Sequence, residues 1–72
     1  MNKGVILRMT KKELRKIAKE LARLETVIKT TEDSEVRYRA EQEILTLTNK
    51  VEDFEDMVII DELVMNLLEE KN

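Results

Sequence analysis

The side chains that carry out most protein chemistry are scarce in this sequence. It contains no Cys and no His, which excludes disulfides, the usual zinc sites, and a Cys or His nucleophile or base. Ser34 is the single serine, and there is no histidine to activate it. Gly4 is the single glycine, so a glycine-rich phosphate loop is excluded as well. The composition predicts a protein that is not an enzyme and that holds no cofactor and no metal ion.

The carboxylates are the one reactive type present in number. Glu52, Glu55 and Asp56 lie within five positions of each other, and paired carboxylates can cleave glycosides or bind divalent cations when they share a cleft. Carboxylate-bridged metal sites in helical bundles also use Glu-x-x-His, and this sequence contains no His. We therefore expect a solvated acidic face.

The clearest recognition pattern is a row of cations early in the chain. Five Lys and Arg side chains fall within about 100° of one helical circumference, and we call them the basic stripe: Lys12, Arg15, Lys16, Lys19 and Arg23. Such a row can contact phosphates or an acidic protein. It lacks aromatic residues for stacking and Asn or Gln for base edges, so nucleic acid is the less favoured partner.

Charge is divided unevenly along the chain. Residues 1–24 carry eight Lys/Arg against two Glu, whereas residues 25–72 carry five Lys/Arg against fourteen Asp/Glu. The asymmetry indicates a basic arm, a complementary partner or internal antiparallel pairing. The acidic part also allows another function, that of a small acidic inhibitor which imitates a phosphate backbone and blocks a nucleic-acid-binding protein. Its candidate residues are Glu52, Asp53, Glu55, Asp56, Asp61, Glu62, Glu69 and Glu70.

Apolar periodicity predicts an all-α protein. Thr10 and Glu13 fit a capping box at the start of a helix. Spacings of 3 and 4 then predict a helix over residues 10–30, with its apolar seam formed by Leu14, Ile17, Leu21, Leu24 and Ile28. Either Asp33 or Ser34 can cap the next helix.

A second apolar seam runs nearly to the end of the chain. Val36, Ala40, Ile44, Leu47, Val51, Phe54 and Val58 follow helical spacing, and no Gly or Pro interrupts them. We therefore expect one long helix over residues 34–71, antiparallel to the first in a helical hairpin. Asn49 or Asp53 could instead mark a break, which would give a monomeric three-helix bundle.

In the hairpin, the last part of the long helix would project beyond the first. This part is apolar around most of its circumference, so it must be buried on several sides. We expect another copy of the chain to cover it, in a coiled-coil-like dimer or tetramer. The predicted interface residues are Met57, Val58, Ile60, Leu63, Val64, Met65, Leu67 and Leu68.

Asp61 interrupts this apolar seam. A buried carboxylate needs a partner, and Lys3, Arg8 or another subunit could supply one; alternatively, the helix is rotated so that Asp61 reaches water. Tyr38 and Phe54 are expected to be packing residues, like Met57 and Met65.

The sequence as a whole predicts one helical domain over residues 1–72, with an N-terminal arm at residues 1–9. Its apolar segments are too short for a signal peptide or a membrane span, so we expect a cytoplasmic protein. The expected function is that of a small protein–protein interaction or scaffold module that self-associates through its C-terminal helix. The alternatives are a nucleic-acid-associated regulator and the acidic inhibitor.

Overall fold

The computed structural model describes residues 9–70, and the regular secondary structure of this part of the chain is all α-helix, without strands. Helix α1 covers Lys11–Thr30, α2 covers Ser34–Asn49 and α3 covers Phe54–Glu70. The predicted all-α class is confirmed. Most of the predicted N-terminal arm lies outside the described residues, as does residue 71.

Local sequence signals set the bounds of α1. The Glu13 N–H donates to Thr10 Oγ1 over 3.2 Å, and the Thr10 N–H donates to Glu13 Oε1 over 3.0 Å, so the predicted capping box is present. The seam residues Leu14, Ile17 and Leu21 are buried. The predicted helix over residues 10–30 is confirmed.

The structure contradicts the single helix predicted over residues 34–71. The helix begins as expected, because Asp33 caps it by accepting hydrogen bonds from the N–H groups of Glu35 and Val36. It ends at Asn49, and α3 starts only at Phe54. The alternative of three helices, with a break between Asn49 and Asp53, fits the structure.

Weak local features accompany the break. Thr46 and Thr48 turn their hydroxyls back onto the carbonyls of Gln42 and Leu45, a pattern that weakens the helical ladder. The N–H groups of Lys50 and Val51 then bond three residues back, to Leu47 and Thr48, which tightens the last turn. The Asp53 carbonyl accepts the first bond of the next helix from the Met57 N–H over 3.1 Å. A helix can therefore stop here without Gly or Pro.

The three helices run up, down and up, with α1 in contact with both others. Helices α1 and α2 are antiparallel. The Arg23 Nη2 atom lies 3.9 Å from Glu43 Oε1, and Lys50, just after the end of α2, shares a cleft with Glu13 at the start of α1. Helix α3 is parallel to α1, since the Met9 N–H donates to Asp56 Oδ2 over 3.1 Å. Both α2 and α3 pack on α1, whereas their contact with each other is slight.

The core is formed mainly between α1 and α3. Ile60 and Val64 of α3 are buried with Leu14, Ala18 and Leu21 of α1. From α2, Ala40 is buried, and half-buried Ile44 and Leu47 pack against the same cluster. The prediction that the chain end projects beyond the first helix is therefore wrong, because the break after α2 lets α3 fold back along α1.

Candidate interaction surfaces

The fold divides the predicted interface residues into three groups. Ile60 and Val64 are buried within the chain against α1 and are covered already. Four others are half-buried, namely Met57, Leu63, Leu67 and Leu68. Val58 and Met65 are exposed, Met65 at 61%. The oligomer itself stays a prediction, but the residues that it can use are now fewer.

An apolar row on the solvent side of α3 remains uncovered. Phe54, Val58, Asp61 and Met65 follow spacings of 4, 3 and 4, which places them along one side of the helix; we call this row the α3 outer face. Phe54 is 79% exposed and Val58 is 41% exposed. The expectation that Tyr38, Phe54 and Met65 are packing residues is wrong within the described chain, since all three are exposed, whereas Met57 packs against the core.

Beside the α3 outer face lies a groove between α2 and α3, with a volume of about 300 Å³. Leu21 and Glu25 of α1 line it at the centre, Ile44 of α2 lines one side, and Asp61 and Met65 of α3 line the other. We call it the α2–α3 groove. Its lining is mainly apolar, and it carries two carboxylates.

The larger cleft, of about 590 Å³, lies between α1 and α2. Charged side chains of both signs surround it, among them Glu13, Lys16, Glu43 and Lys50. Among the side chains of residues 9–69, no three acidic groups converge in a way that could hold a metal ion.

The buried carboxylate is Asp56, not Asp61. Asp61 is exposed, which confirms the alternative in which the helix rotates it to water; its other suggested partners, Lys3 and Arg8, lie outside the described residues. Asp56 is 1% exposed and accepts a hydrogen bond from the Met9 N–H. The prediction of a solvated acidic face is wrong at this residue. The spacing could have indicated this burial, because Asp56 precedes Ile60 by one helical turn and so lies on the same side of the helix.

All five residues of the basic stripe are exposed on α1. Arg23 donates a hydrogen bond to Glu20, and this bond is the main reason that the pKa of Glu20 lies below its ordinary value. Among residues 9–70, the ion pairs of the basic stripe are confined to Arg23. Lys12, Arg15, Lys16 and Lys19 thus present a cationic surface on the side of α1 opposite its buried seam.

The helices of the described part of the chain include none that is long and apolar enough to cross a membrane. No protein-family model matches this chain, and no curated protein or solved structure shows a significant match to it. Among the surfaces of the described residues, the α3 outer face with its adjoining groove is the strongest candidate for an interaction site.

Proposed function

We propose that this protein is a non-enzymatic helical module that binds another protein through the α3 outer face. The observation that carries the proposal is the exposure of Phe54, Val58 and Met65 in one helical row. Single exposed apolar residues are ordinary on protein surfaces, whereas three on one side of a helix, an aromatic residue among them and only Asp61 between two of them, indicate an interaction site.

The free energy of burial indicates that these three side chains act together with adjacent surface. Covering the exposed parts of Phe54, Val58 and Met65 contributes roughly 3–5 kcal/mol. Association costs at least about 4 kcal/mol in lost translational and rotational freedom. The three side chains are therefore anchors of a larger contact, and the α2–α3 groove beside them supplies further apolar surface.

The proposal predicts that charge placed on the α3 outer face abolishes partner binding. In the double variant Phe54→Glu and Met65→Glu, both changes fall on exposed positions, so the helices should remain folded while the contact is lost. The measurement is affinity capture from the native host at low and high salt, with quantitative mass spectrometry and circular dichroism of each variant.

A matched control lies on α2. The double variant Tyr38→Glu and Leu45→Glu adds the same charge at two other exposed apolar positions that share one side of their helix. We expect it to retain the proteins captured by the parent. Equal capture by the parent and the α3 variant would contradict the proposal, as would equal losses in both variants.

Self-association through the same surface is the form of this proposal that the sequence suggests, and it can be tested separately. Gel filtration with light scattering on the parent and on the α3 variant addresses it directly. A dimer or tetramer that the α3 variant converts to a monomer would identify the second copy as the partner.

The uncompensated part of the basic stripe favours a second candidate function, contact with nucleic acid. Four phosphate contacts from Lys12, Arg15, Lys16 and Lys19 would give a log–log salt slope of about −3.6 on duplex DNA. We expect the triple change of Lys12, Lys16 and Lys19 to Glu to abolish binding in a mobility-shift assay at low salt. A parent protein that binds no nucleic acid, or a variant that binds as well as the parent, would eliminate this candidate.

A further inference from the structure

Helices α2 and α3 leave an incomplete bundle. Both pack on α1 but contact each other only slightly, and the α2–α3 groove lies between them. Helices pack at about 8–10 Å between axes, so a further helix that lies along this groove can contact α2 and α3 at once. Such a helix would also cover Met65, which belongs both to the groove and to the α3 outer face.

The charges around the groove determine which side chains that helix must carry. Asp61 and Glu25 line it from α3 and α1, and α3 carries six acidic residues and no Lys or Arg. An incoming helix with an apolar row and flanking cations would place its apolar side chains against Ile44 and Met65. Its Lys or Arg residues could then reach Asp61 and Glu25, in charge-assisted hydrogen bonds.

A second copy of the chain fits this site poorly. Along α3, Asp61 lies midway between Phe54 and Leu68. Two antiparallel α3 helices in a two-fold contact centred there would bring their Asp61 carboxylates together. The acidic residues of both α3 helices would also repel each other. The basic stripe of a second copy offers cations but no apolar row to fill the groove.

We propose that the α2–α3 groove is the docking site for a cationic amphipathic helix of another protein. This inference rests on the proposed function and specifies its partner: a helix with apolar residues at i, i+3, i+4 and i+7 and Lys or Arg beside them, as in other helix-in-groove complexes. Asp61 is the residue that selects for cations.

The test uses the full chain and a synthetic 18-residue peptide that carries a fluorescent label. The peptide has Leu at i, i+3, i+4 and i+7 and Lys at the remaining positions. Fluorescence anisotropy measures its affinity for the parent, for Asp61→Lys and for Glu62→Lys. The two variants make the same charge change at adjacent exposed residues, and only Asp61 lines the groove. We expect Asp61→Lys to weaken binding at least tenfold and Glu62→Lys to change it less than threefold.

Two further peptides separate docking from general attraction between opposite charges. A scrambled peptide has the same composition without the apolar row, and a third peptide has Glu in place of Lys; neither should bind. Equal binding of the scrambled peptide, equal losses in both variants, or no binding of the Leu–Lys peptide would overturn the inference. So would a dimeric parent that Asp61→Leu stabilises, since the groove would then accept a second copy.

The two proposals fail in different ways. If the Leu–Lys peptide does not bind but capture from the host still depends on Phe54 and Met65, then the interaction surface stands and the cationic partner does not. If capture is unaffected by Phe54→Glu and Met65→Glu, the surface itself is wrong.

Discussion

Replacing Ile60 by alanine is expected to lower the free energy of unfolding by about 3 kcal/mol. Ile60 is fully buried, in the cluster where α3 packs on Leu14, Ala18 and Leu21 of α1. The change removes apolar contacts and leaves a cavity in a closely packed core. A domain of this size is stable by only about 4–11 kcal/mol, so the variant should lose a large share of its stability. Urea unfolding followed by circular dichroism measures the effect.

The adjacent residue provides the control. Ile59→Ala makes the same chemical change at a side chain that is 40% exposed, and we expect a loss below about 1 kcal/mol. The difference between the two variants reports which side of α3 faces α1. Similar losses for both would contradict the packing described here and would favour one long helix that projects from a hairpin.

Asp56→Ala is the second change with a large expected effect, a loss of about 2 kcal/mol in the free energy of unfolding. The Asp56 carboxylate is buried and accepts a hydrogen bond from the Met9 N–H at the start of the bundle. Removing it leaves that donor without its charged acceptor, and hydrogen bonds to charged groups contribute more than neutral ones. Denaturant unfolding at neutral pH is the measurement.

Asp61→Ala is the comparison for this prediction. It removes the same carboxylate from an exposed position on the same helix, where we expect a change within about 0.5 kcal/mol. If Asp61→Ala proved the more costly of the two, the assignment of Asp56 as the buried acid would be wrong. The same variant would be expected to weaken binding of the Leu–Lys peptide without unfolding the protein.

The elements that depend on neighbouring residues could be predicted from the sequence. Thr10 and Glu13 form their capping box within a single turn, and the seam of Leu14, Ile17 and Leu21 repeats with the helical period. Because both signals act between residues three or four positions apart, they do not depend on the rest of the fold. The all-α class and the start of α2 at one of the two candidate caps, Asp33 or Ser34, follow from the same kind of interaction.

The break between Asn49 and Asp53 could be named only as an alternative, because its signals are weak. Threonines that bond back to the helix and an Asp that can cap the next one are each compatible with an uninterrupted helix. The gain that favours a break is non-local: it lets Ile60 and Val64 reach Leu14 and Ala18 of α1. The apolar seam in the sequence continues through the break and therefore gives no indication of this gain.

The sequence by itself determined that the protein is all-α, where the first helix begins, and how charge divides between its cations and the later carboxylates. Only the tertiary structure decided that α3 returns along α1, that Asp56 is buried while Asp61 is exposed, and that Phe54 remains uncovered. The physical reason is that a helical pattern fixes which residues share a side of a helix, whereas the rotation of that helix depends on the partner against which it buries the most apolar area.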